Sequence, residues 1–200
     1  MNHEPSTAFF RVMEPIFERD FHEHSYGFRP GRSAQQAAGV VLNHLKAQRL
    51  VVDVDLKAFF DSIPHERLLD AVRRRVTDGR VLDLIGQFLQ AGVMEGLQLT
   101  TPEAGTPQGC VISPLLANIY LDDLDQQMAK RGRMMVRYAD DFVILCQHPE
   151  EATDALAEVQ HWTAQAGLTL HPTKTRIVDL RQSAAWFDFL SSVRLPVQTP

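Results

Sequence analysis

The sequence is poor in the residues that build disulfides and zinc sites. It has two cysteines among 200 residues, Cys110 and Cys146, and they form no C-x-x-C pattern. Eight histidines are present, but His22 and His24 lie in a polar stretch without a second pair of ligands to complete a metal site. We therefore expect reduced thiols and solvated histidines rather than a disulfide or a zinc centre.

The sequence also lacks an apolar run long enough to cross a bilayer, and residues 1–10 have neither a basic leader nor an apolar core. We therefore expect a cytoplasmic protein that does not contact membranes. Positive charge is in deficit as well, since 20 Lys and Arg stand against 25 Asp and Glu, a formal net charge of −5. Any binding of nucleic acid must therefore be local or use basic surface from elsewhere, because broad capture depends on Lys and Arg.

Repeats, low-complexity segments and Gly/Ser/Pro-rich linkers are absent, and 44% hydrophobic residues suit one sizeable core. Apolar spacing and turn residues predict helices at about 7–19, 33–48, 64–76, 80–91, 113–130 and 150–166. They predict strands at 50–56, 134–138, 142–146, 168–170 and 175–180. This order predicts an α+β fold, a small and mostly antiparallel sheet with an acidic hairpin and with helices packed on one face.

Acidic residues stand where two predicted strands end. Asp55 closes the strand at 50–56, and Asp140 and Asp141 lie at the tip of the predicted hairpin. Adjacent carboxylates are costly there unless they are protonated, hydrogen-bonded or neutralised by a cation. Mg²⁺ binds a few carboxylates and takes its other ligands from water and phosphate, so these acids suit two ions over a nucleotide. The simpler interpretation is an Asp-rich turn, since Asp favours turns on its own account.

Five stretches, in order, resemble reverse transcriptases of the group II intron type. They are SYGFRPGRSAQQA (25–37), VDVDLKAFFDSIPHERLL (52–69), GTPQGCVISPLLANIYLDDLD (105–125), VRYADDFVILC (136–146) and GLTLHPTKTRIV (167–178). The ordered set is far more specific than YADD alone. The resemblance implies a reverse-transcriptase palm with part of the fingers.

By this resemblance, Asp55, Asp140 and Asp141 match acids that hold two Mg²⁺ ions, with the Leu56 carbonyl as a further ligand and Mn²⁺ as an alternative ion. The ions would activate the primer 3′-hydroxyl, stabilise charge on the transferring phosphoryl group and assist the departure of pyrophosphate. Lys174 matches a lysine proposed to protonate that pyrophosphate, although an ordinary surface lysine is the alternative.

The resemblance also assigns a sugar-selecting residue. Phe60 matches the position under the nucleotide sugar, where a bulky ring leaves no space for a 2′-hydroxyl, so the expected product is DNA. Paired core aromatics are the alternative for Phe59 and Phe60. We expect only Phe59 to belong to the core, because adjacent residues at an extended strand end face opposite ways.

Four further residues match positions near the nucleotide or the template. Gln108 matches a residue that shapes the nucleotide and template pocket, and the alternative is an amide that bonds its own loop. Arg29, Arg32 and Lys57 match basic positions near the nucleotide or template strand, with ordinary solvated charge as the alternative. Cys110 replaces a glycine common in the family's PQGG pattern, which would alter the pocket slightly.

The resemblance divides the chain into a partial fingers segment (1–48), a palm catalytic domain (49–190) and a tail unlike the family (191–200). The family's upstream fingers block, its thumb and its basic maturase segment are absent from this sequence. Their absence would account for the negative net charge, since most phosphate-contacting basic surface would lie in those parts.

The expected activity is extension of a DNA or RNA primer on an RNA template with dNTPs, by two-metal-ion phosphoryl transfer, in a truncated or partial enzyme. Intron RNA and a second chain that supplies fingers or thumb are further expected partners. The main alternative is a catalytically inactive palm fragment that binds RNA or a partner chain. A third interpretation is another palm-type nucleotidyl transferase, such as an RNA-dependent RNA polymerase or a nucleotide cyclase. Phe60 disfavours RNA synthesis, and YADD differs from the GG-D/E-E/D-F loop of the cyclases.

Overall fold

The computed structural model describes residues 4–90, 93–95, 98–100, 104–106, 111–182, 185–190 and 193–196. Helices and strands alternate along the chain. The helices are α1 (Glu4–Glu18), α2 (Ala34–His44), α3 (Phe59–Ser62), α4 (His65–Arg73), α5 (Gly79–Gln90), α6 (Ser113–Lys130) and α7 (Pro149–Ala166). The strands are β1 (Leu50–Asp55), β2 (Val93–Glu95), β3 (Gln98–Thr100), β4 (Met134–Tyr138), β5 (Asp141–Cys146), β6 (Arg176–Asp179), β7 (Trp186–Phe189) and β8 (Val193–Pro196).

Four of the strands form the central sheet, in the order β4-β5-β1-β6, and every neighbouring pair is antiparallel. β1 and β5 run side by side along their whole length, with Leu50 opposite Cys146 and Asp55 opposite Asp141. The short pairs β2–β3 and β7–β8 form separate hairpins, so part of the predicted tail is a strand. The predicted small antiparallel sheet is confirmed.

Side chains alternate between the two faces of the sheet, and the faces carry different layers. Val52 and Ile144 belong to the larger core, which takes apolar side chains from α1, α4, α5, α6 and α7. Val51 and Val143 face the other way, toward α2 and toward Phe187 in β7. The predicted helical layer is confirmed, and the second face is covered by one helix and a hairpin. Full burial of each such apolar side chain contributes about 1.5–3 kcal/mol.

Local signals placed several helix ends correctly. The Ser33 side chain accepts from the Gln36 N–H while the Gln36 side chain accepts from the Ser33 N–H, a capping box at the start of α2. Gly167 ends α7 with a φ of +72°, a left-handed conformation that glycine adopts without steric cost. These boundaries follow from local hydrogen bonding, which is why the sequence predicts them.

Other boundaries differ from the prediction. A serine directly before a proline favours the cap position of a helix, but Ser113 is the first helical residue of α6. Ile112 takes the cap position without a side-chain hydrogen bond. α2 and α4 are shorter than predicted. The predicted strand at 168–170 is reduced to one isolated bridge between Leu56 and Leu170. In the part of the chain that the structure describes, no helix is long and apolar enough to span a bilayer.

Candidate active site

The register of the sheet brings the predicted acids together. Asp55 at the end of β1 lies opposite Asp141 at the start of β5. Asp53 shares the face of Asp55, because residues two apart on a strand point the same way. Asp53 is buried, and its carboxylate lies 3.6 Å from the Arg176 guanidinium. The acids therefore occupy the end of two central strands, on the face that carries α2 and β7.

Asp140 lies in the tight turn that joins β4 to β5. Its neighbour Ala139 has a φ of +58°, which is uncommon for a residue with a side chain and costs about 1–2 kcal/mol. The Ala139 carbonyl accepts a hydrogen bond from Arg137 Nη1 at 2.8 Å. A Cβ atom on Gly27 would lie 2.2 Å from the Ala139 nitrogen, so the glycine allows its loop to pack directly on the turn. The turn is therefore held from two sides.

A buried polar network underlies this turn. Arg137 is 0% exposed, and its guanidinium contacts both carboxylate oxygens of Asp125, with Nε at 2.8 Å from Oδ1. Arg137 Nη1 also donates to Asn118 Oδ1 at 2.9 Å, and Asn118 Nδ2 donates to the Gly27 carbonyl at 2.8 Å. Helix α6, the acidic turn and the 25–31 loop are thus joined through the side chains of Arg137 and Asn118.

Burial disfavours the ionised forms of Asp140 and Asp141. It raises the pKa of Asp140, and it raises the pKa of Asp141 to about 7. The Leu190 N–H donates to Asp141 Oδ2 at 2.7 Å and partly offsets the effect, whereas the charges of Asp53, Asp140 and Asp55 add to it. The site therefore favours a proton or a cation between these carboxylates near neutral pH.

Lys174 lies against the first of the acids. Its Nζ donates to Asp55 Oδ2 at 2.8 Å, with side chains that are 61% and 36% exposed, and this carboxylate raises the pKa of Lys174. The segment that carries Lys174 is attached to the end of β1, since the His171 N–H donates to the Asp55 carbonyl at 2.8 Å. The structure thus brings Lys174 and Asp55 together across 119 residues.

The donor set suits a hard cation, although it is not a closed cage. Within the described ranges, no three His, Cys, Asp or Glu side chains are grouped as a metal site. Asp55 accepts a hydrogen bond from Lys174, and Asp141 accepts one from the Leu190 N–H. A bound ion would have to displace these donors from the carboxylates. Mg²⁺ is usually bound by one or two carboxylates together with substrate phosphates, and this open arrangement of carboxylates fits that habit.

The backbone carbonyl of Leu56 points in a direction that suits its predicted role as a metal ligand. Its neighbours form the bonds Lys57 N to Thr169 O and His171 N to Asp55 O, both 2.8 Å long. Leu56 and Leu170 are therefore a non-hydrogen-bonded antiparallel pair, in which each carbonyl points away from the partner segment. For Leu56 this is the side of the acidic hairpin, where it could be a ligand.

Phe60 is half-buried and packs against the larger core, in which Phe59 is 2% exposed. The expected division between the two rings is confirmed for Phe59. The physical reason differs from the prediction, because both residues begin the short helix α3 after Ala58, which has a φ of +47°. Successive residues on a helix point about 100° apart, and this separates the rings.

The basic residues have different environments. Arg29 is buried, and its guanidinium binds the Glu18 carboxylate and the carbonyls of His22 and Ser25. This geometry does not support the predicted contact of Arg29 with a nucleotide, since its donors are engaged in the protein. Arg32 lies 5.4 Å over the Tyr26 ring, and Lys57 is exposed after β1. These two remain candidates for the nucleic-acid surface.

Gln108 and Cys110 lie outside the described residues. Residues 104–106, just before them, are attached beside Phe60: the Thr106 N–H donates to the Phe60 carbonyl at 2.7 Å, and the Gly105 N–H donates to the Ile63 carbonyl at 2.8 Å. The predicted pocket role of Gln108 stays a prediction.

Four residues that shape the site carry no motif that assigns them a role: Phe28, Asn118, Asp125 and Arg137. One signal was present: Arg137 is two residues after Met135 on β4 and therefore occupies a core-facing position. A charge at such a position needs a buried partner. Nothing in the sequence pattern identified that partner or singled out Phe28.

The chain matches the family model described as "Reverse transcriptase (RNA-dependent DNA polymerase)" over residues 6–191. Protein YkfC of Escherichia coli (strain K12) is 33% identical over 210 residues, which cover 85% of this chain and 55% of that protein. Group II intron-encoded protein LtrA of Lactococcus lactis subsp. cremoris is 40% identical over 115 residues, covering 58% of this chain and 19% of that protein. This chain thus spans about half of the first relative and a fifth of the second.

A solved structure of apo telomerase from Candida Tropicalis superposes with a TM-score of 0.74. The superposition covers 98% of this chain and 39% of that chain, at 11% sequence identity. At that identity the likeness concerns the fold alone, and it agrees with the α+β palm architecture of the central sheet.

Proposed function

This chain belongs to the reverse transcriptase family, with relatives of the group II intron type, and we propose that it extends a DNA or RNA primer along an RNA template with dNTPs. The observation that carries this proposal is the pairing of Asp55 with Asp141 at two adjacent strand ends, next to the turn that holds Asp140. We retain the division into a fingers segment (1–48), a palm (49–190) and a tail (191–200) as part of the proposal.

The proposed metal ligands are Asp55, Asp140, Asp141 and the Leu56 carbonyl. Two Mg²⁺ ions, or Mn²⁺, would supply activation of the 3′-hydroxyl and neutralisation of charge on the transferring phosphoryl group. The sheet holds Asp55 and Asp141 on rigid backbone, and Arg137 holds the turn that carries Asp140. This rigidity keeps the carboxylates in place before the substrate binds, which lowers the reorganisation that the reaction requires.

Lys174 and Phe60 would act on the nucleotide itself. Lys174 would leave Asp55, donate its proton to an oxygen of the departing pyrophosphate and so neutralise charge that develops there. Phe60 would occupy the space of a ribose 2′-hydroxyl and select dNTPs. Arg32, Lys57 and Gln108 are proposed to contact the template or the nucleotide.

The second candidate is a palm that binds RNA or a partner chain without catalysis. Its support is the net charge of −5 together with the engagement of Arg29 inside the protein, since both leave less basic surface to hold a primer and template for extension. Any RNA would then bind through local basic residues. Intron RNA and a chain that supplies fingers or thumb are the proposed partners in this case.

Primer extension on an RNA template with Mg²⁺ tests the first proposal, with Asp140→Asn as the matched variant. Loss of a carboxylate at a two-metal site is expected to cost about 3–4 kcal/mol of barrier, or roughly 10²- to 10³-fold in rate. Equal extension by both proteins would contradict the role of the acids. RNA binding measured by fluorescence anisotropy, together with no extension by either protein, would favour the second candidate.

A further inference from the structure

Phe28 combines two unfavourable properties. Its side chain is 51% exposed, and its backbone has a φ of +57°. A bulky side chain in the left-handed region is a genuine outlier, and an exposed ring gains little from burial to offset it. Such conformations persist where the surrounding structure imposes them, and they concentrate at ligand-binding sites. Phe28 therefore calls for an explanation outside its own stability.

The two neighbours of Phe28 impose its conformation. Gly27 packs on the Ala139 backbone, and its carbonyl accepts from Asn118. Arg29 is anchored by the Glu18 carboxylate and by the Ser25 carbonyl. With both neighbours attached to the interior, the backbone of Phe28 is held in its left-handed conformation at the surface. This fixes the point and direction in which the side chain leaves the backbone.

That orientation places the Phe28 ring against two aromatic residues of the site. It meets Phe60 edge to face, with ring centroids 6.5 Å apart and an interplanar angle of 79°. It also lies 6.4 Å from Tyr138, the residue that ends β4 before the acidic turn. Phe59 contacts Phe60 from the core at 5.3 Å. Phe60 is thus packed between a core ring and Phe28, in a geometry that aromatic pairs prefer.

We propose that Phe28 positions the Phe60 ring and thereby sets how strictly the chain selects dNTPs over NTPs. This inference rests on the proposed sugar-selecting role of Phe60. Exclusion of one hydroxyl requires a ring that cannot move aside. Phe60, the second residue of the four-residue helix α3, is packed on its outer side by Phe28. Phe28 acts through Phe60 and is a positioning residue.

The test compares Phe28→Gly and Phe28→Leu with the wild-type chain in single-nucleotide extension, using dCTP and CTP on an RNA template with Mg²⁺. The ratio of kcat/KM for dCTP to that for CTP is expected to fall about tenfold in Phe28→Gly, which is about 1.4 kcal/mol, with dCTP incorporation within about threefold of wild type. Phe28→Leu keeps an apolar side chain without an aromatic edge, so a smaller decrease is expected. Leu42→Ala, at a 48% exposed position on α2, is the matched control and leaves the ratio unchanged.

Two further measurements separate positioning from general stabilisation. Glycine adopts a φ of +57° without strain, so the melting temperature of Phe28→Gly is expected to stay within about 3 °C of wild type while selectivity falls. In Phe60→Ala the selecting ring is gone, so adding Phe28→Gly changes the ratio no further. Independent, additive losses in the double variant would overturn the proposal, as would equal losses of dCTP and CTP incorporation in Phe28→Gly.

The outcomes also separate this inference from the function on which it rests. Normal dCTP incorporation with an unchanged ratio in both Phe28 variants would overturn the role of Phe28 alone. An unchanged ratio in Phe60→Ala would overturn the sugar-selecting role, and with it the inference. A wild-type chain that incorporates no nucleotide would overturn the proposed polymerase function itself.

Discussion

The buried pair of Arg137 and Asp125 offers the sharpest test of the structure. Their side chains are 0% and 2% exposed, so water solvates neither charge to any useful extent. Asp125→Asn keeps the shape of the side chain and leaves the guanidinium without its counter-charge. Removal of one partner of a buried ion pair typically costs about 3–5 kcal/mol. The free energy of unfolding is about 5–15 kcal/mol for most domains, so this substitution removes a large part of it.

Circular dichroism measures this loss in two ways: urea unfolding gives the change in unfolding free energy, and thermal unfolding gives the change in melting temperature. The expected decrease in melting temperature is about 6–20 °C, taking roughly 2–4 °C per kcal/mol for a chain of this size. Asp70→Asn is the matched control, because its partner Arg73 is on the same helix and the side chains are 69% and 52% exposed. An exposed pair contributes about 0–1 kcal/mol, so this control should unfold nearly as the wild type does.

A paired replacement separates stability from positioning. Arg137→Met with Asp125→Leu removes both charges, and it should recover much of the stability that Asp125→Asn loses. It also removes the hydrogen bond to the Ala139 carbonyl, so primer extension should stay at least about tenfold below wild type, since small misplacements of reacting groups are costly. If Asp125→Asn were no more destabilising than Asp70→Asn, Asp125 and Arg137 would not form the buried ion pair described above.

Three further predictions concern the same site. Burial holds the pKa of Asp141 at about 7 against roughly 3.9 in the unfolded chain, so its stability contribution is present below pH 4 and is lost as the pH rises to 7. Apparent Mg²⁺ affinity should therefore increase from pH 6 to pH 8 by calorimetric titration, and an equal dependence in Asp141→Asn would contradict this. Lys174→Ala should lower kcat by about 10²-fold or more, because the proton donor is lost. The unfolding free energy should change little, because the ion pair of Lys174 with Asp55 is exposed. An unchanged kcat would exclude proton donation by Lys174. Gly27→Ala places a Cβ atom 2.2 Å from the Ala139 nitrogen and should lower both the melting temperature and the extension rate. Gly39→Ala, in open space on α2, is the control and should be neutral or stabilising by about 0.5–1 kcal/mol. Similar effects of the two substitutions would argue against packing of the loop on the turn.

Several features of the fold and site were predictable because they depend on local chemistry. The capping box at Ser33 and the left-handed Gly167 arise from hydrogen bonds within a few residues. The strands at β1, β4 and β5 have β-branched and apolar residues bounded by turn residues, so their pattern predicts them. Asp55, Asp140 and Asp141 stand directly at the ends of those strands, and the resemblance of five ordered motifs assigned them a common chemistry.

Other features depend on which distant segments meet, and no local pattern carries that information. Arg29 has the motif of a substrate-binding residue, yet Glu18 and two backbone carbonyls engage it in the interior. The boundaries of α2 and α4 shifted for a related reason, because helix ends depend on tertiary packing as well as on propensity.

By itself, the sequence indicated the family through five ordered motifs and the α+β class through the order and period of its apolar segments. It also proposed Asp55, Asp140 and Asp141 as metal ligands, which stays a prediction. The tertiary structure alone decided how those acids are held. The bond from Asn118 to Gly27 joins residues 91 apart, and the bond from Lys174 to Asp55 joins residues 119 apart. The conformation of Phe28 is likewise imposed by neighbours anchored to distant segments, because its own backbone preference opposes it.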